Sequence, residues 1–504
     1  MSFPLKSGRN RIRKSKFTPL SDFYRNLLFL LALLIASLFF SCIIKLDGTD
    51  MHNGFSHSAR KEAVMMTLSR NFLTVVTAGV FMMGTGVVQA ETLQDAVTFM
   101  LKSNPDIRAK YYNRMAREKE VRQTKAGYLP TIDVYVSAGL DRQHEPFFDT
   151  AWPTSSTVSV RQNVFRFFGT QSEVERQEAR VRSQAYLLTG SAENNALLSS
   201  KVFLNVLRNQ ELYDLAQENL TNHRRILDQV KLRSESGVDR RADFDQVMGR
   251  VALAQSNVVA AQANLTDSNT DYQAVIGHLP GNLVRPEPAG SALPKTMGEA
   301  EQLAEQNNPT LKSAKADVEA RNAQHATAKS QLYPSLDVAL DYKWRKDTEN
   351  IPGRREDFLA MATISFNILN GGWNKARLGQ TTYEIYEAQE IAENTKRQTI
   401  QSIRLSWEAN RTATERVAYL EEYVKAAGQT ADAFTSQWNI GRRTMFDLLD
   451  TQAEHINAKA SLVNAKYDKM YSEYRILNGM SQLIPFLGLH LSDQGLVVTA
   501  KTAP

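Results

Sequence analysis

The residues best suited to chemistry lie in one short segment, from Gly441 to Asp450. Asp447 and Asp450 are three residues apart, so on a helix their carboxylates share one face, where they could attract cations. Arg443 precedes them and could pair with a carboxylate. Taken alone, however, acids in the first turn of a helix commonly only stabilise the helix dipole, and Arg443 would be a surface charge. These residues leave both interpretations open.

Other patterns that support chemistry are missing from the sequence. The only cysteine is Cys42, so the rest of the chain offers no thiol for a disulfide, a nucleophile or zinc. We find no Gly-rich phosphate loop, no G-x-S-x-G segment and no carboxylate pair at a strand end. The histidines after the leader lack the spacing of metal ligands: His144, His223, His278, His325, His455 and His490. We therefore expect no enzyme activity, no cofactor and no metal site.

The first 90 residues differ from the rest in charge. They contain 11 Lys and Arg against 4 Asp and Glu, whereas the remaining chain contains 49 against 50. The basic excess therefore belongs to a leader, and we expect no nucleic-acid partner. Residues 65–90 are predicted to be a secretory signal peptide, because an apolar stretch follows Arg70 and ends at the small-residue site Val88-Gln89-Ala90. Residues 1–64 are interpreted as an over-extended start or a dispensable leader.

The remaining chain repeats itself at a shift of 204 residues. Asn104-Pro105 then falls on Asn308-Pro309, Gly237 on Gly441 and Asp243 on Asp447. This register predicts an internal duplication, with repeats at 91–279 and 296–480, a linker at 280–295 and a C-terminal tail at 481–504.

Proline placement predicts the elements within each repeat. No proline occurs in 154–279 or 353–484, which permits very long helices. We predict long helices at 170–236 and 373–440, return helices at 241–277 and 444–478, and shorter helices at 92–103, 105–127, 297–307 and 309–331. Apolar residues in the second return helix alternate at spacings of four and three, which is typical of coiled-coil packing.

Two segments in each repeat alternate apolar and polar residues, near 131–140 and 156–165 and near 335–344 and 357–367. This alternation over about ten residues is typical of transmembrane β-strands, although a soluble hairpin with one buried face gives the same pattern. The signal peptide, the two equivalent hairpins and the lack of an apolar run long enough for a membrane helix favour the membrane. Polar loops are predicted at 141–155 and 345–356. Four strands are too few to close a barrel, so several chains must contribute.

This combination resembles the outer-membrane efflux and secretion family typified by TolC. The most specific similarity is the segment from Gly441 to Asp450, which is close to the family's G-x-R-T-x-x-D-x-L-D pattern. The Asn-Pro helix starts, the proline before each first strand and Asn370-Gly371-Gly372 also agree. The resemblance implies a mainly α fold with a small transmembrane β-barrel, made of four strands per chain and closed only as a homotrimer. It also implies a periplasmic adaptor, an inner-membrane ABC or proton-driven transporter and contact with outer-membrane lipid.

The resemblance also implies roles for residues at the periplasmic tip. Gly237 and Gly441 would form its turns, and Asp447 and Asp450 would form two acidic rings around the aperture. Arg443 and Asp243 match positions that tie neighbouring helices together in a latch. Trp438 stands where the family has a tyrosine, and Ala242 where it has a threonine, so part of that latch must differ here.

The sequence thus predicts an outer-membrane conduit that exports substrates in concert with an inner-membrane transporter. The segment around Asp447 favours the type I protein-secretion branch of the family. Efflux of small molecules is the second function that the sequence allows. The alternative is a soluble periplasmic coiled-coil adaptor or scaffold whose hairpins form a docking domain.

Overall fold

The computed structural model describes residues 90–143, 149–236, 240–348, 351–491 and 497–499. The proposed signal peptide and the segment before it lie outside these residues, except for Ala90. In the first repeat, helices α1 and α2 and strands β1 to β4 precede the long helix α3 and its return helix α4. Their bounds are Leu93–Ser103, Pro105–Lys125, Thr131–Ala138, Asp141–Gln143, Asp149–Ala151, Thr154–Phe165, Gly169–Glu235 and Arg241–Ile276.

The second repeat has the same order of elements, with two strands in place of four. Helices α5 and α6, strands β5 and β6, the long helix α7 and the return helix α8 occupy Met297–Asn307, Pro309–Ser330, Ser335–Thr348, Ile351–Ser365, Trp373–Asn439 and Met445–Gly479. A short helix α9 and strands β7 and β8 follow at Leu483–Phe486, Leu489–Leu491 and Val497–Thr499. The long helices have 67 residues each, which corresponds to a length of about 100 Å.

The shorter helices begin the same way in both repeats, because the same capping residues recur. The Thr92 and Thr296 side chains accept the backbone N–H of the third helical residue in α1 and α5. The Asn104 and Asn308 side chains each accept two backbone N–H groups, and a proline follows in the first helical position. These caps explain why the duplicated Asn-Pro pairs start helices.

The junctions from strand to long helix differ between the repeats. Gly371 and Gly372 precede α7 with φ values of 65° and 84°. At the equivalent places before α3, Phe167 and Phe168 adopt φ values of 42° and 59°, which are unfavourable for bulky residues. Phe167 stacks on Tyr333 with ring centroids 3.5 Å apart. This aromatic contact offsets part of the backbone cost that glycine avoids in the second repeat.

Four strands form one antiparallel sheet in the order β1-β4-β5-β6. Within the described part of the chain, β1 and β6 each keep one edge without a partner strand. Among the described residues, no helix is both long enough and apolar enough to cross a membrane.

The strand register separates an apolar face from a polar face, because alternate residues point to opposite sides. One row across the four strands is Val134, Val158, Tyr342 and Phe358, and the next is Ile132, Val160, Leu340 and Ala360. Between them on the other face lies the row Asp133, Ser159, Asp341 and Leu359. The apolar face is uncovered in a single chain, since Val136 and Ile364 are 76% and 73% exposed.

The fold class is confirmed for the single chain, which is mainly helical and internally duplicated and has four principal strands. The polar-loop predictions were wrong in part. Residues 141–143 and 149–151 form the antiparallel ribbon β2–β3, and most of 345–356 belongs to the longer strands β5 and β6. Charged side chains project from both faces of that hairpin end, and backbone pairing continues there with one register shift between Lys346 and Thr348. The tail also has structure, in α9 and β7.

The largest core joins the middle of α3 to the ends of the return helices, and it contains a buried carboxyl group. Glu193 is 3% exposed, and its Oε1 accepts the Ile484 backbone N–H at 3.4 Å and the Ser481 hydroxyl at 3.5 Å. Its Oε2 has no partner among the described residues. Burial raises the pKa of Glu193 from 4.5 to about 8, although the two hydrogen bonds oppose this. Glu193 is therefore protonated at neutral pH, where it anchors the segment after α8.

We expect Glu193→Gln to remove a pH dependence of stability. The folded-state pKa lies above the unfolded one, so the stabilising contribution is complete below about pH 4.5 and is lost as pH rises to about 8. The variant, whose amide does not ionise, should lose less stability than the parent chain over this range. Thermal unfolding followed by circular dichroism from about pH 5 to pH 9 measures the difference. The exposed Glu408→Gln change is the control, and equal pH profiles for all three proteins would contradict the assignment.

Candidate functional site

The turn between α7 and α8 is formed by a helix-ending motif followed at once by a helix-starting one. Gly441 has a φ of 76°, and its N–H donates to the Trp438 carbonyl at 2.9 Å. The Arg442 N–H donates to the Gln437 carbonyl at 2.8 Å, which completes a Schellman motif. Gly441 is therefore required for this turn. Gly237, the proposed turn residue of the first repeat, lies outside the described residues.

Asp447 helps to cap the N-terminus of α8. Its Oδ2 accepts the Thr444 hydroxyl at 2.9 Å and the Thr444 backbone N–H at 3.3 Å, while the Thr444 hydroxyl oxygen accepts the Asp447 N–H at 3.2 Å. This reciprocal pair is a capping box. The helix-stabilising interpretation of Asp447 therefore describes what this side chain does within one chain.

Asp450 connects the two return helices. Its Oδ1 lies 3.1 Å from Nη2 of Arg250 on α4, and the Asp450 side chain stays 60% exposed. Sequence analysis missed Arg250, whose equivalent in the second repeat is Glu454, so the duplication gives no signal for this pair. Arg250 also acts on His223 of α3. Burial, and then the positive charge of Arg250, lower the pKa of the His223 imidazole, which disfavours its charged form.

The predicted latch residues lie in different surroundings. Arg443 donates from Nε to Oε1 of Gln437 at 3.0 Å, and its guanidinium lies 4.1 Å from the Phe434 ring centroid. Its Nη1 is 3.9 Å from Oδ2 of Asp447. In the described part of a single chain, the Asp243 carboxylate has no side-chain partner and does not meet Arg443.

Trp438 is part of a small hydrophobic core at the tip. The indole is 4% exposed and packs with apolar residues of all four long and return helices, namely Ile226, Val230, Val247, Met445, Leu448 and Leu449. The Arg233 guanidinium lies over its ring at 4.9 Å from the centroid. Trp438 thus contributes packing and a cation–π contact where the family pattern has a hydroxyl group. Arg233 is a second tip residue that sequence analysis missed.

Metal binding has no geometric support in the described residues, where no three His, Cys, Asp or Glu side chains are grouped closely enough to hold an ion. The tip instead offers exposed carboxylates, arginines and a compact apolar core at the ends of very long helices. Together with a small sheet that has one uncovered apolar face, this geometry defines a class of proteins in which a few strands continue into a long helical part.

Comparison with known proteins identifies the family within this class. The profile of the outer membrane efflux protein family matches residues 98–278 and 301–478, and the chain belongs to this family. The outer membrane efflux protein BepC of Brucella suis is 23% identical over 417 residues, which cover 81% of this chain and 90% of BepC. TolC of Escherichia coli is 22% identical over 421 residues, or 78% of this chain and 83% of TolC.

A solved channel shows the same fold. The structure of the open state of the MtrE outer membrane channel of Neisseria gonorrhoeae superimposes with a TM-score of 0.69 at 15% identity, and the match covers 78% of this chain and 89% of MtrE. The predicted TolC resemblance is confirmed, and so is the predicted location in the outer membrane, with a long helical portion in the periplasm. The chain is an outer-membrane export channel.

The two return helices give a matched test of the capping analysis. Thr444 caps α8, whereas its equivalent Arg240 precedes α4 and forms no side-chain cap. Asp243 nevertheless stands in the third helical position of α4, and the Arg240 ψ of 149° suits a capping residue. We expect Thr444→Ala to destabilise the start of α8 by about 1 kcal/mol and Arg240→Thr to stabilise the start of α4 by a similar amount. Hydrogen exchange of the first-turn amides measures both. Arg240→Ala is the control, and equal protection in Arg240→Thr and Arg240→Ala would refute the capping-box explanation.

Proposed function

We propose that three copies of this chain form one continuous export duct, in which twelve strands make a transmembrane barrel and the helices make a tunnel through the periplasm. An inner-membrane transporter, of the ABC or proton-driven type, and a periplasmic adaptor deliver the substrate to the tip. The cargo is a protein, a small molecule or both. The observation that carries this proposal is the four-stranded sheet with one uncovered apolar face and two free edges.

The free edges argue for closure by other chains. A backbone group without a hydrogen bond costs several kcal/mol in lipid, so the outer edges of β1 and β6 need partners if the sheet lies in a membrane. Pairing β6 of one copy with β1 of the next satisfies both edges and repeats until the ring closes. Eight strands already enclose a filled interior, and twelve leave room for a lumen.

The two faces of the sheet support the same arrangement. The rows that contain Val134 and Ile132 offer an apolar surface to lipid, and Phe358 on this face is 69% exposed in one chain. The opposite face carries Asp133, Asp337 and Asp341, and the Ser159 hydroxyl donates to Asp341. Polar residues on that face suit a water-filled lumen.

At the tip, threefold symmetry would turn Asp447 and Asp450 into two acidic rings. Both side chains are partly exposed, at 39% and 60%, so their carboxylates stay accessible to water and ions despite their contacts with Thr444 and Arg250. Such rings attract cations and favour block of the closed aperture by divalent cations. Arg443 and Asp243, which do not meet within one chain, would link neighbouring helices and hold the tip shut until a partner displaces them.

Assembly can be tested without knowing the cargo. We expect the protein in outer-membrane fractions to run as a trimer on a denaturing gel when unheated and as a monomer after heating, because the interchain strand ladder resists detergent. Membrane fractionation followed by the two gel conditions makes the measurement. Recovery as a soluble monomer would overturn the duct and support the alternative of a periplasmic scaffold.

The aperture assignment can be tested by removing charge while keeping shape. We expect Asp447→Asn combined with Asp450→Asn to weaken block by divalent cations about tenfold in planar bilayers, because two rings of charge are lost. Asparagine retains an oxygen for the Thr444 cap, so α8 should stay folded, which circular dichroism checks. Asp468→Asn is the matched control, since Asp468 is also an exposed acid of α8 near an arginine, with Oδ1 3.6 Å from Nη1 of Arg208. Unchanged block in the double variant would refute the rings.

A further inference from the structure

Two cations stand directly opposite each other at the far end of the β5–β6 hairpin. Lys346 of β5 pairs in register with Arg354 of β6. Like charges at directly opposite positions of antiparallel strands are unfavourable, so this arrangement needs an explanation. An anion bound between the two side chains would offset the repulsion.

The register places this pair on the apolar face of the sheet. Lys346 is four residues beyond Tyr342 and two beyond Trp344, and even-numbered positions of β5 share one side. Leu336 to Trp344 are nine residues, and a tilted strand needs about nine to eleven residues to cross the apolar band of a membrane. The rings of Tyr342 and Trp344 meet edge to face at 4.8 Å, as expected of aromatic residues at a membrane interface. Lys346 and Arg354 therefore lie one step beyond the band, at the level of the lipid head groups.

A shallow cleft lies beside the two cations. It has a volume of about 260 Å³ and is lined by Trp344, Arg345, Lys346 and Arg354 together with the hydroxyl side chains Thr154, Ser155 and Ser156 of β4. Hydroxyls, an ammonium and a guanidinium are all hydrogen-bond donors, which is the donor set that a phosphate group needs.

Nearby carboxylates leave both cations able to bind a further anion. Asp347 Oδ2 is 3.8 Å from the Lys346 Nζ, and the other oxygen of Asp347 accepts the Gly353 N–H at 2.8 Å. Glu356 Oε1 is 2.8 Å from Nη2 of Arg354, while its Oε2 accepts the Tyr342 hydroxyl at 2.8 Å. Exposed ion pairs of this kind contribute little, and a guanidinium has five donors, so neither acid saturates its cation.

We propose that Lys346, Arg354 and the adjoining hydroxyls form a binding site for the phosphate of an outer-leaflet lipid head group. This inference rests on the proposed function, because the trimeric barrel sets the membrane level of the site. The lipid chains would lie along the apolar rows below Trp344. The site would thereby fix the height of the barrel in the membrane.

The test uses the purified full-length trimer in detergent and two probes, lipid A that carries its phosphates and the same lipid with the phosphates removed. We expect Lys346→Gln combined with Arg354→Gln to weaken binding of the phosphorylated lipid about 30-fold, the effect of two cations near a lipid surface. The phosphate-free lipid should bind the parent protein and this variant equally. Native mass spectrometry of lipid-bound trimers gives the ratios.

The matched control removes the same charge from the opposite face. Lys343 and Arg355 lie on the polar side of the same hairpin. The double variant Lys343→Gln and Arg355→Gln should therefore still bind the phosphorylated lipid. Equal losses of lipid binding in both double variants, or no loss in the first, would contradict the proposed site. If millimolar inorganic phosphate displaced the lipid completely, the conclusion that the ligand is a lipid would be wrong. A protein that never forms the heat-modifiable trimer would instead contradict the proposed duct, so the two failures are distinguishable.

Discussion

Lipid gives backbone amides no hydrogen-bond partner, and this constraint governs how a single chain with an incomplete sheet becomes a functional molecule. The described part of the chain leaves β1 and β6 with open edges and an apolar face without cover. The proposed closure with sister chains would satisfy both needs at once. The strands also lead almost directly into the long helices, since β4 ends at Phe165 and α3 begins at Gly169. Closing the sheet into the proposed ring would therefore set the helices around the same axis.

The duplication supplies two similar helix hairpins, and the differences between them lie where the chain turns. At the junction near the sheet, the second repeat uses Gly371 and Gly372, whereas the first holds two phenylalanines at positive φ. At the tip, Thr444 and Asp447 form a capping box, whereas Arg240 offers no cap. The first repeat thus has the energetically weaker connection at both places. In the proposed ring, weaker and firmer hairpins would alternate.

The sequence predicted the long helices well because proline exclusion, Asn-Pro starts and apolar spacing act locally along the chain. It predicted the hairpin end of β5–β6 poorly, because a run of charged residues resembles a loop when cross-strand pairing is unknown. The tip contacts of Asp450 with Arg250 and of Trp438 with Arg233 could not be predicted, since each joins helices that are far apart in sequence. The residue types at the tip were found, but which side chain meets which depends on packing between four helices.

The separation of the tip core from the main core has a consequence for opening. The main core joins helices from both repeats and is reinforced by buried contacts, such as the Tyr272 hydroxyl to Glu91 at 2.6 Å and the Ala289 N–H to Glu473 at 2.8 Å. The tip core is a separate, smaller cluster around Trp438, and its polar contacts are exposed. Regions with few buried apolar contacts open at lower free energy than the rest of a fold. We therefore infer that the ends of the helices can move while the main core and the sheet stay intact, as a gate in the proposed tunnel would require.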